Sequence, residues 1–262
     1  MFDPQFFENG LNTYIYLDTR YSMNTKPRIS CILSINVHEK KHFLLKQIEN
    51  IHTYVQSDFL ILLNCNDHMF HELKDHPLPP YVRLHPDILN KHYDHGSLTR
   101  GIYTNMRYAL EHFDFLYFFV LSSRNMFYNR ITVEDLANRD SKLHSPHTNL
   151  SGWHWPTFTK TKLAQHYFEK SLGLYQSPHE GIVFSVNVCK NIHNFLEHNT
   201  DIRDNLFHFE KCVEEFSLQT IAMNERSEEH TEYGWINIGH GADTLYSVPT
   251  DPSLFVYKTL RN

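Results

Sequence analysis

Two adjacent glutamates, Glu214 and Glu215, stand just ahead of an apolar run in Cys212–Asn224, CVEEFSLQTIAMN. The spacing predicts a helix that opens with the two acids. A carboxylate at the edge of a cleft can take the proton of an attacking hydroxyl, which is general-base chemistry. The plainer reading is structural: negative charge near a helix N terminus is favoured by about 0.3–1 kcal/mol. A second stretch, His38-Glu39-Lys40-Lys41-His42, fits HExxH. A zinc hydrolase built on it needs both histidines on one helix face, with Glu39 as base. Here the motif starts where an apolar strand stops, and no further ligand histidine follows it at metalloprotease spacing, so it stands as an alternative. Lys258 and Arg261 form a basic C-terminal tail that could neutralise phosphate, or lie in solvent as such tails do.

Elements must position these groups. Ile29–Val37 is a short apolar, β-rich run and reads as a buried strand. Lys40–Gln56 carries Leu44, Ile48, Ile51 and Val55 at helical spacing. Phe59–Cys65 reads as a second strand, Tyr81–Leu84 as a third, Leu98–His112 as a helix and Phe115–Leu121 as a fourth strand. This βαβ-type alternation predicts an α/β fold with a mostly parallel, Rossmann-type sheet flanked by helices. Ligands of such sheets bind at the carboxyl ends of the strands. Those ends carry His38, Asn64, Asn66, Ser122 and Ser123. Further on, the reading gives a His-, Ser- and Trp-containing loop over 140–156, a helix over 158–174, a strand over 181–188 preceded by Glu180, and a short helix over 191–198.

At 262 residues the chain is expected to form a single domain, with 29–125 as one half and 126–262 as the other. A hydrophobic share of 41% makes it globular rather than disordered. The 14% aromatic share suits sugar-binding clefts and ordinary cores alike. A net charge of −6 argues against broad nucleic-acid binding while leaving room for a local phosphate site. Cys31, Cys65, Cys189 and Cys212 form no CxxC pair and read as thiols in apolar runs. The first residues have no basic start followed by an apolar core, and no apolar run reaches the roughly 18–20 residues of a membrane span, so a cytoplasmic enzyme is expected. GxGxxG, GxxxxGK[ST] and DxD are all absent from the sequence.

Four pieces, in order, carry a family resemblance. They are ISCILSINVHEKKHFLLKQIENIHTYV followed by FLILLNCND, then FDFLYFFVLSSRNMFY, then VEEFSLQT, and finally LFVYK. The chain resembles the core-2/I-branching β-1,6-N-acetylglucosaminyltransferases and the peptide O-xylosyltransferases over most of 29–258. The resemblance implies a GT-A fold and a metal-independent, inverting transfer from a nucleotide sugar, UDP-linked, to a hydroxyl of an acceptor glycan, with no cofactor. It sets the catalytic glutamate on Glu215 and a diphosphate-binding lysine on Lys258; Arg261, from the same basic tail, would assist the lysine. His38, Asn66 and Ser122 would face the donor, and Glu180, Trp153 and Glu214 the acceptor. Two positions depart from the family: Asn66 stands where it has an Asp, and no Arg stands near Trp235. The family's luminal members carry a membrane anchor and several disulfides. A chain lacking both fits a bacterial or viral cytosolic enzyme. The competing expectations are the zinc hydrolase on His38, Glu39 and His42, and a non-catalytic carbohydrate-binding protein on the same fold.

Overall fold

The computed structural model describes residues 26–137 and 146–226, together with the backbone of Tyr233–Trp235, Ile238–Ala242 and Val256–Thr259. Its centre is β1 (Arg28–Asn36), in which every residue from Cys31 to Asn36 is buried. Such a run has no polar face because helices cover both sides of the sheet. β2 (Phe59–Asn64) and β4 (Asp114–Ser122) flank it in parallel, and β3 (Val82–Leu84) extends the edge in parallel beyond β2. β6 (Ile182–Ser185) and β7 (Tyr233–Trp235) continue the sheet antiparallel past β4, giving the order β3-β2-β1-β4-β6-β7. The second half of the chain therefore completes the sheet begun by the first.

Alternation along the strands divides the core. Leu33, Ile35, Ile61 and Leu63 pack on one face under α1 (Lys41–Tyr54) and α2 (Asp67–Leu73). Ile32, Leu60, Leu62, Phe118 and Val120 pack on the other. That second face is covered by α3 (Ser97–His112), α7 (Val186–His198), α8 (Thr200–Phe207) and α9 (Ser217–Asn224), and α5 (Trp155–Phe158) and α6 (Lys162–Glu169) add buried side chains to the same cluster. A short α4 (Val133–Ala137) follows β5 (Asn125–Phe127). A small second sheet pairs β5 antiparallel with β9 (Val256–Thr259), which runs parallel to β8 (Ile238–Ala242). The pairing sets Lys258 opposite Asn125.

The first half follows the sequence reading closely. The second departs from it where capping overrides β propensity. The Ser185 side chain accepts the Val188 N–H at 3.4 Å, so the β-branched Val186 and Val188 open a helix instead of ending a strand. The Thr161 hydroxyl accepts from Ala164 N at 3.2 Å, and Ser171 has φ 56°, so the helix expected over 158–174 is confined to Lys162–Glu169. Asn66 caps α2, a helix too short to show a periodic signal, by accepting from Met69 N at 2.9 Å. Most consequential, α9 starts at Ser217 and has no acid in its first turn. Glu214 and Glu215 precede it in a turn closed by Phe216 N–H and Ser217 N–H on Val213 O. All four cysteines are free thiols. No helix among the described residues is long and apolar enough to cross a membrane.

Candidate functional site

The turn holding the two acids is fixed by the rest of its own motif. Phe216 is fully buried, with its ring 4.7 Å from Trp155 and 4.8 Å from Phe158, centroid to centroid. The Thr220 hydroxyl accepts from Tyr175 N at 3.0 Å and donates to Tyr175 O at 3.1 Å. Gln219 Nε2 donates to Ser177 O at 3.1 Å and to Glu214 O at 2.9 Å, and Ser177 N donates to Glu215 O at 3.0 Å. The segment 175–180 is thus laced to 214–220, which brings His179 and Glu180 beside Glu214 and Glu215.

These groups form one wall of a cleft of about 500 Å³. The other wall is built at the carboxyl ends of β1, β2 and β4 by Asn36, His38, Asn66, Ser122 and Arg124. The crevice lies where the chain passes to opposite sides of β1, the switch point at which open α/β sheets bind ligands. Seven sequence-chosen residues line it: His38, Asn66, Ser122, Trp153, Glu180, Glu214 and Glu215. Lys258 is placed by its backbone alone, opposite Asn125 at the start of β5, just past the turn that follows Ser122. Arg261 lies outside the described residues.

Environment separates the two acids. Glu215 has a side chain 20% exposed; its Oε2 accepts from Trp153 Nε1 at 3.0 Å and its Oε1 lies 4.0 Å from His179 Nδ1. Glu214 is 6% exposed, and its buried Oε2 has no hydrogen-bond partner. Burial pushes the Glu214 carboxyl up; the neighbouring His179 opposes this, and Glu215 and Glu180 add to it. Glu180 is 3% exposed, with Oε1 3.7 Å from His179 Nε2.

Two cleft residues hold left-handed backbone conformations, Asp94 at φ 54° and Trp153 at φ 50°. For residues with a Cβ this costs on the order of 1–3 kcal/mol and persists only where the surroundings enforce it. Asp94 is enforced by Lys211 Nζ on Oδ2 at 2.8 Å and Cys212 N on Oδ1 at 3.0 Å. Burial works to raise its carboxyl, but those bonds and the Lys211 charge outweigh burial and hold it at about 2.

On the opposite wall, His38 Nδ1 lies 3.1 Å from Asn36 O and 3.5 Å from Ser123 Oγ, which joins the β1 and β4 ends across the switch point. Ser122 N donates to Asn125 Oδ1, and Gln47 Nε2 of α1 reaches the carbonyls of Ser122 and Asn125 at 2.7 and 2.8 Å. Asn36 Nδ2 donates to Leu98 O at 2.9 Å, while its buried Oδ1 is unpartnered. A Cβ at Gly101 would collide with that oxygen, which is why α3 carries a glycine there.

Sequence reading missed His179, Asp94, Lys91 and Arg124. Lys91 Nζ donates to Asn64 Oδ1 at 2.7 Å, Asn64 O at 3.0 Å and Leu89 O at 3.1 Å. Burial pushes its ammonium down to about 8, opposed by Cys65. Arg124 Nε lies 3.4 Å from Glu39 Oε1. Only Arg124, inside the SSRN turn, had a local signal; the others sit in loops whose course is set by tertiary contacts.

HEKKH lacks the single-helix geometry that zinc hydrolysis requires. α1 begins at Lys41, so His38 lies before it, and Glu39 contacts His38 at 3.8 Å and Arg124 at 3.4 Å. A neighbouring groove of about 580 Å³ runs past His38, His42, Asn66 and Glu72. It is somewhat larger than the cleft but contains no buried carboxyl, so the cleft with the two acids is the stronger candidate. No protein-family model matches the chain, and no curated protein matches it.

Proposed function

We propose that this protein is an inverting glycosyltransferase with a GT-A fold that moves a sugar from a nucleotide-sugar donor, UDP-linked, to a hydroxyl of an acceptor glycan without a metal ion. The observation that carries the reading is the cleft itself. A partly exposed carboxylate, Glu215, is held by the Trp153 indole across from the strand-end loops of a Rossmann-type switch point. Glu215 takes the proton of the acceptor hydroxyl as that oxygen attacks the anomeric carbon from the face opposite the nucleotide, which leaves as the diphosphate. His38, Asn66 and Ser122 meet the donor. Asn66 Oδ1 already accepts from Met69 N, so its amide NH₂ remains as the donor group toward a nucleoside. Lys258 and Arg261 offset charge growing on the diphosphate, the electrostatic contribution that is often the largest. The exposed Trp153 ring offers a sugar an apolar platform, and Glu180 and Glu214 lie behind it on the acceptor side. The enzyme works in the cytoplasm and carries no bound cofactor.

The deciding experiment is a thermal-shift panel of nucleoside diphosphates and nucleotide sugars, followed by transfer assays with the donor that binds. Native-state ligands raise apparent stability. A rise with a nucleotide sugar together with transfer to a glycan supports the proposal. Binding with neither transfer nor donor hydrolysis identifies a non-catalytic carbohydrate-binding protein instead.

A further inference from the structure

We infer that His179, Glu180 and Glu215 form a binding site for a divalent transition-metal ion of the zinc class, and that an ion held there blocks Glu215. One donor atom from each of the three lies within 4.8 Å of the others. His179 Nε2 is 3.7 Å from Glu180 Oε1, and His179 Nδ1 is 4.0 Å from Glu215 Oε1. Those two distances run to opposite ring nitrogens, and one ion takes only one of them; zinc bonds of about 2.0–2.1 Å at a tetrahedral angle put donors about 3.3–3.4 Å apart, so a set within 4.8 Å closes with side-chain shifts of up to about 1.5 Å. An imidazole with two carboxylates is a donor set that such ions accept, with a fourth position open to the cleft.

A second observation points to a cation. Glu214 lines the same cleft at 6% exposed, its Oε2 without a partner, and its electrostatic neighbours are the same His179, Glu215 and Glu180. Three carboxyl groups therefore crowd one imidazole, whose Nδ1 is likewise buried without a hydrogen bond. A buried carboxyl oxygen without a partner, as Glu214 Oε2 is, calls for a positive charge or a proton nearby, and a divalent ion in this set supplies the charge. The lacing of 175–180 to 214–220 preorganises the set before any ion arrives.

Metal binding stands independently of the transferase reading; its inhibitory consequence rests on that reading, because an ion on Glu215 occupies the lone pair that would take the proton. The test titrates the purified full chain with Co²⁺. The expected result is one equivalent bound, visible d–d absorption and no thiolate charge-transfer band. His179→Gln and Glu180→Gln keep side-chain size and should lose at least about 100-fold in affinity. His179→Cys should bind again and add a thiolate band. Cys212→Ser and His42→Ala test the Asp94–His154–Cys212 cluster and the HEKKH stretch, and should leave binding unchanged. Absence of a one-to-one complex overturns the site and assigns charge balance to a proton on Glu214. So does a thiolate band in the wild type, loss of binding on His42→Ala, or indifference to His179→Gln. If Zn²⁺ binds at these residues yet transfer proceeds undiminished, the site stands and Glu215 is not the base. If Zn²⁺ does not bind while Glu215→Gln abolishes transfer, the base stands and the site falls.

Discussion

Glu214 and Glu215 are neighbours in sequence and opposites in environment. Both precede α9, so their directions come from the Val213–Phe216 turn and its lacing, not from helical geometry. Glu215 is partly exposed with an indole N–H on its carboxylate; Glu214 is buried with an unpartnered oxygen. In such a pair the more exposed carboxylate is the candidate base. Glu215→Gln is expected to lower turnover by about 10²–10⁴-fold with donor affinity nearly unchanged, as steady-state kinetics and donor titration would reveal. Glu214→Gln keeps the size of a buried group and should cost far less. If the Glu214 variant is dead and the Glu215 variant active, the roles are reversed. Trp153→Phe removes the indole N–H while keeping an aromatic platform, so turnover should fall with little change in acceptor KM. A change in KM alone would limit Trp153 to binding.

At the scale of elements, the site depends on how two loops are tied together. Thr220→Val keeps the shape of the side chain but leaves Tyr175 N and O without their partner. Each such unsatisfied buried group costs about 1–3 kcal/mol. For a chain of this size each kcal/mol is worth roughly 2–4 °C in Tm. Calorimetry should therefore record a drop of several degrees, with turnover falling further than folded fraction, because His179 and Glu180 lose their fixed place beside the acids. The Asp94 anchor makes a pH prediction. Its carboxyl sits at about 2 when folded, against about 3.9 for an unfolded Asp. A depressed carboxylate binds fewer protons in the folded state, so its stabilisation is full above about pH 4 and is lost as pH falls toward 2. Asp94→Asn lacks that contribution at every pH. The Tm gap between wild type and variant should be widest near neutral pH and close below about pH 4; a gap that stays constant would show that Asp94 acts through shape alone.

For the whole molecule, the cleft joins both halves of the chain: strand ends from the first and acidic turns from the second. Donor binding and base chemistry should therefore fail separately under mutation but together on unfolding. Transfer is expected to survive EDTA, since the proposal neutralises the diphosphate with cationic side chains. Loss of transfer in chelator, restored by Mg²⁺ or Mn²⁺, would refute metal independence. Lys258→Ala should weaken the nucleoside diphosphate far more than the bare nucleoside, because a lysine acts on phosphate as a point charge. Equal losses for both ligands, measured by calorimetric titration, would remove Lys258 from the phosphate site.

Local pattern was enough to read the α/β alternation, the buried β1 and β2, and the helices α1 and α3, since long apolar and periodic stretches leave one low-energy conformation. It also marked seven cleft residues, because chemistry-bearing side chains at strand ends and beside an aromatic motif are visible as residue types. It could not reveal that Ser185 and Thr161 would outvote β propensity and helical length, since a cap is worth more than a propensity only when the flanking residues are also packed. It misjudged the start of α9 for the same reason: the acids are held by Ser177 and Gln219, partners that meet them only in the folded chain. His179, Asp94 and Lys91 were invisible because their value comes from what surrounds them, which is a burial, a charge and a distance. The order of residues determined which groups were available; tertiary contacts decided which of them share a cleft, which acid is buried, and which stays partly exposed.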